Sequence, residues 1–125
     1  MRALLVTLLL LSACVASAPP PTRVPPIVAA GPQSGVLNIV YGAQRFFGDP
    51  GALAGKPADA AVAVARLEWL AREVPRDLTF YNLSSIAGPA LEAARSDARR
   101  AAGIAPSAPT QAVVDGLGNA AQLLV

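Results

Sequence analysis

From residue 36 onward, apolar side chains recur every three to four positions, the spacing of one face of an α-helix. Val36, Ile39, Val40, Ala43, Phe46 and Phe47 share a face of a first predicted helix, with Asn38 and Arg45 opposite. Ser34 is a candidate cap ahead of Gly35, and Gly48 a stop. Asp49-Pro50 could cap one further turn ending at Gly55, although Gly51 weakens it and leaves a loop as the alternative. The most regular pattern runs from Ala58 to about Val74, behind a Pro57 suited to a first helical position. Ala60, Ala63, Val64, Leu67, Leu70, Ala71 and Val74 form its stripe; Asp59, Arg66 and Glu73 lie on the opposing side, and Pro75 ends it. Trp69 projects off that stripe beside Val62 and Ala65, as a second packing surface or, on the sharper reading, as an aromatic anchor for a partner.

Residues 77–87 mix strand-prone and helix-compatible side chains. A lone strand would have no partner elsewhere in the chain, so the expectation is helix, capped by Asp77, with Thr79, Phe80, Leu83, Ile86 and Ala87 inward. Gly88-Pro89 should break or kink the run. A following helix, Pro89 to Ala102, turns Leu91, Ala94, Ala98, Ala101 and Ala102 inward and Glu92, Arg95, Ser96, Arg99 and Arg100 outward. A last stretch behind Pro109 carries Val113, Leu117, Ala120 and Leu124 on one stripe and finishes on Leu123-Leu124-Val125. Together these elements predict a small all-α bundle of three to five short helices over residues 34–125.

Ahead of the bundle the helical period is missing. Residues 15–33 carry proline at 19, 20, 21, 25, 26 and 32, which forbids helix and favours extended backbone. Residues 14–33 are therefore expected to act as a spacer, reaching up to roughly 60 Å at about 3.1 Å per residue. Further back, Arg2 precedes the apolar run Ala3 to Leu11 and the small pair Ser12-Ala13, the layout of a secretory signal. The run is much shorter than the roughly 20 residues that span a bilayer.

Leu11-Ser12-Ala13-Cys14 resembles the lipobox of bacterial lipoproteins. That resemblance covers the first 14 residues and implies diacylglyceryl transfer to the Cys14 thiol, cleavage between Ala13 and Cys14 by signal peptidase II, and in most cases a third acyl chain on the new amino group. It further implies the outer membrane, facing the periplasm, over the inner one, because Val15 is not the Asp that retains such proteins. Two or three acyl chains anchor stably where one does not. The bland alternative is an ordinary signal cut behind Ala16-Ser17-Ala18, which would discard Cys14.

Composition narrows the chemistry. Aromatic content is 5%, and the chain has one cysteine and no histidine. With Cys14 acylated, disulfides, most metal sites and most nucleophile–base pairs are excluded, and no cofactor is expected. A net charge of +2, with Arg95, Arg99 and Arg100 set among Glu92 and Asp97, is no nucleic-acid footprint. The carboxylates are accounted for by caps and helix faces, Lys56 has no spaced serine partner, and Gly51 to Pro57 lacks the strand and Ser/Thr of a phosphate loop. The expectation is a non-enzymatic adaptor docking a protein partner in the envelope, with Trp69, Phe80, Tyr81, Leu123 and Leu124 as candidate surface. The alternative is a small-ligand pocket among Phe46, Phe47, Trp69, Phe80 and Tyr81.

Overall fold

A computed structural model describes residues 17–33 and 35–125, the side chain of Ser84 excepted. The signal segment, Cys14 and the expected cap Ser34 lie outside the described residues. Among the described residues there is no strand, and the all-α expectation stands. The helices are α1 (Pro26–Ala29), α2 (Val36–Gly48), α3 (Pro57–Glu73), α4 (Tyr81–Ala101) and α5 (Thr110–Leu123), with single 3-10 turns at Pro50–Leu53, Val74–Arg76 and Leu78–Phe80.

Helix α3 is the axis of the bundle: α1, α2, α4 and α5 all pack on it, α5 most extensively. Pro57 starts it without losing a hydrogen bond, and Asp59 in the first turn and Arg72 in the last complement its dipole. Its middle is small and apolar, so neighbours approach on several sides. Val62, Ala63, Ala65, Arg66, Leu67, Glu68, Leu70 and Ala71 are all buried. Leu70 and Val74 join Ile39 and Ala43 of α2 in a core cluster, flanked by Val24, Val40, Trp69, Phe80 and Leu91. Arg66 was expected on a polar face. It is 7% exposed, because a helix surrounded by its neighbours has no solvent side to offer.

The proline segment also departs from expectation. From Pro19 onward it is a strap laid over the helices, with Val28 fully buried. Trp69 Nε1 donates to the Thr22 carbonyl (3.0 Å), and the Thr22 amide donates to Glu73 Oε1 (2.9 Å). Gln111 grips Arg23 on both backbone groups, accepting its N–H at 2.8 Å and donating to its carbonyl at 3.1 Å. Arg76 Nη2 donates to the Pro19 carbonyl (2.8 Å). Contrary to expectation the segment is not free of helix, because proline is tolerated at a first helical position and Pro26 opens the single turn α1. The carbonyls ending that turn and those of the extended stretches around it are left unpaired, and proline stiffness means little entropy is lost when they are held. Helix-borne donors capture those carbonyls. Asn38, expected on the outer face of α2, is buried for the same purpose: its Nδ2 donates to the carbonyls of Ala29 (3.0 Å) and Gln33, and its Oδ1 accepts from the Gln33 amide (2.7 Å).

Two glycines make room, one for the strap and one for the Arg66 side chain that holds it. A Cβ on Gly118 of α5 would meet the Pro25 ring at 3.0–3.1 Å, and one on Gly42 of α2 would collide with the Arg66 guanidinium. The approach at Gly42 requires a missing side chain while Arg66 stays in place, and at Gly118 an added methyl would press on the Pro25 ring.

Residues 81–101 form one helix across Gly88-Pro89 rather than two. Pro89 and Ser85 are both exposed, so the carbonyl that loses its donor to the ring stays open to water. The inward side of the first half also differs. Gly88 is buried beside Pro75, whereas Leu83 and Ile86 are 59% and 80% exposed and Thr79 is exposed too. Further along, Arg99 is buried and Arg95 half-buried, while Ala94, Ala101 and Ala102 face out. In α5 the buried positions are Val113, Val114, Gly118 and Ala121, and Leu124 is exposed.

Candidate functional site

The five side chains expected to form a surface fall in three places. Trp69 and Phe80 are packed against the core cluster. Tyr81, at the start of α4, is 72% exposed; Leu123 and Leu124, at the end of α5, are 88% and 54% exposed. Nor do the aromatics enclose one pocket. Phe46 and Tyr41 line a cleft of about 480 Å³ beside Arg66 and the turn at Gly31, while Phe47 is exposed and Trp69 lies beneath the strap. Ala13 and Cys14 lie outside the described residues.

Two features were not anticipated. The first is the outward face at the start of α4, where Leu78, Leu83 and Ile86 are 86%, 59% and 80% exposed. Residues 78–91 contain no charged side chain, and that uncharged run was the available signal. The second is a cleft of about 870 Å³ between the strap and the start of α5. Arg23, Arg72, Arg95 and Arg99 line it together with Thr110 and Gln111, and no carboxylate does.

The arginines of that cleft differ in how far they are committed. Arg99 forks onto buried Glu68, Nε to Oε1 at 2.6 Å and Nη2 to Oε2 at 2.8 Å. Its Nη1 donates to the carbonyls of Ala105, Pro106 and Ala108 at 3.2, 2.8 and 2.9 Å. The pair thus ties α4 and the following loop to the bundle axis. Hydrogen bonding to Glu68 holds the Arg99 proton more tightly, raising its pKa against the opposing effect of burial. Arg66, by contrast, is held by carbonyls alone, Val28 at 2.9 Å and Ala30 at 2.7 Å, and burial lowers its pKa. Arg95 donates to Glu92 Oε1 (2.7 Å) and, at 3.4 Å, to Thr110 Oγ1, leaving its buried Nε without an acceptor. Arg23 and Arg72 form no ion pair among the described residues.

Among the described residues no group of His, Cys, Asp or Glu is placed to hold a metal ion, and no helix is long and apolar enough to cross a membrane. Comparison with models of known families, with curated proteins and with solved structures finds no match.

Proposed function

We propose that the chain is an envelope lipoprotein, cleaved behind Ala13 and acylated at Cys14, whose helical body is a non-catalytic adaptor for a protein partner. The lipobox resemblance supports the anchor, and Val15 supports an outer-membrane, periplasm-facing position. The observation that carries the docking role is the outward apolar set Leu78, Leu83 and Ile86, in a body small enough that such exposure costs solubility. Tyr81 is exposed in the same stretch of sequence, and Leu123 and Leu124 are exposed separately at the end of α5. Trp69 and Phe80 serve packing instead.

Metabolic labelling with a fatty acid tests the anchor: wild type takes up label, and Cys14→Ser does not. Label retained by Cys14→Ser refutes the assignment. Photo-crosslinking residues placed at Leu83, Leu123 and, as control, Gln44 test docking in intact envelopes. A discrete protein adduct from Leu83 or Leu123, missing from Gln44, supports an adaptor; identical patterns from all three positions refute it.

A further inference from the structure

We infer that the cleft between the strap and the start of α5 binds a tetrahedral oxyanion of the phosphate class. Four of the chain's arginines line it without any carboxylate, in a protein whose net charge is only +2. Arg99 is spent on Glu68 and three carbonyls, and it serves as wall. Arg23 and Arg72 line the cleft and have no ion-pair partner among the described residues, so their charge is not neutralised locally. Arg95 adds a third guanidinium to the lining, paired with Glu92 and with its buried Nε left without an acceptor.

Helix α5 adds its own positive end. It opens at Thr110 behind Pro109, and no side chain caps it. Its first amides therefore lack intrahelical acceptors, and the first two residues, Thr110 and Gln111, line the cleft. Donors thus come from the strap, from α3, from α4 and from the start of α5. A carboxylate offers two oxygens to such a set, whereas a phosphate group offers three or four and a second charge, which suits planar arginine forks. The same chemistry is found in free phosphate and in a phospholipid headgroup. The inference does not depend on acylation of Cys14.

The test uses the full chain purified in a neutral detergent. Inorganic phosphate, titrated at constant ionic strength, should raise the melting temperature saturably where chloride does not. Flotation with phosphatidylcholine vesicles, with or without phosphatidic acid, then separates the two sources. Phosphate response alone assigns a free anion, and flotation that needs phosphatidic acid assigns a headgroup. Arg23→Gln, at an exposed position whose loss leaves the packing intact, and Arg72→Gln should each weaken binding about tenfold. Arg100→Gln, paired outside the cleft with Asp97, should leave it unchanged. No saturable response to either phosphate or phosphatidic acid, an equal response to chloride, or equal weakening by Arg100→Gln would overturn the site.

Discussion

Arg66 Nε donates to the carbonyl of Val28 at 2.9 Å across 38 residues of sequence, and both residues are buried. With the second bond to Ala30, this guanidinium clamps the strap to the axis of the bundle. Arg66→Ala should therefore cost about 2–4 kcal/mol, through two unpaired carbonyls and the space left against Gly42. Arg100→Ala, on an exposed i,i+3 pair, should move stability by less than about 0.5 kcal/mol. Urea unfolding of the two variants checks this, and equal midpoints would show that the clamp carries no load.

The Glu68–Arg99 pair is fully withdrawn from water, with side-chain exposures of 1% and 4%. Removing one partner strands a buried charge, so Glu68→Ala should cost about 3–5 kcal/mol. Arg99→Lys should be nearly as damaging, since one ammonium cannot fork two carboxylate oxygens and also reach the loop carbonyls. A double-mutant cycle with Glu68→Leu and Arg99→Leu should return a large coupling energy. A cycle that closes near zero would locate the stability in packing alone.

Two glycines of α5 should answer oppositely to the same change. At Gly116 nothing lies within 4 Å of an added Cβ, so Gly116→Ala should gain about 0.5–1 kcal/mol from helix propensity. At Gly118 the new methyl meets Pro25 at 3.0–3.1 Å, and the strap behind that ring is pinned at Val28 and Trp69. Gly118→Ala should lower the melting temperature. A matching rise in both variants would show that the strap yields freely.

Exchanging residues 19–32 for a Gly/Ser segment should cost the body a large part of its stability, because Val28 and the ring of Pro25 leave with it and the carbonyls taken by Arg66 and Trp69 lose the stiff backbone that presents them. Melting by circular dichroism and the emission of Trp69, the sole tryptophan, provide the readouts. An unchanged melt with unshifted emission would restore the segment to the role of free spacer.

Asp77 caps the turn at Leu78–Phe80, its Oδ1 accepting from the Thr79 amide at 2.8 Å. That hydrogen bond favours the carboxylate and lowers its pKa. With the folded pKa below the unfolded one, the contribution is present above the unfolded value. It is lost as pH falls through the folded one, below the ordinary carboxylate range. The protection of the Thr79 amide, its exchange rate taken relative to the intrinsic rate at each pH, should fall in that acid window, and Asp77→Asn, which still caps, should abolish that fall. The same loss of protection in Asp77→Asn would place its origin elsewhere.

What could be read from sequence was whatever is settled within a turn or two of helix. Pro57 and Pro75 bound α3 through backbone geometry that needs no partner, and Leu67 and Leu70 fall inside by period alone. Arg66 and Glu68 defeat the same reasoning, because a charged residue is assigned to water until a distant carbonyl or guanidinium is known. Leu83 and Ile86 fail differently. The stretch around them has two uncharged sides, and the smaller one wins because Gly88 allows close approach to Pro75. The cleft was invisible for a third reason: residues 23, 72, 95 and 99 become neighbours only once the strap has folded back.

The bond from Arg76 to the Pro19 carbonyl also sets a length. Four residues separate Pro19 from Cys14, and the five steps between them span at most about 18 Å. An acyl group on Cys14 would thus moor the body at the lipid headgroups instead of far out in the aqueous space. A partner would have to come to the membrane to be met, and encounters would be confined to two dimensions, where effective concentrations are high and reach is short.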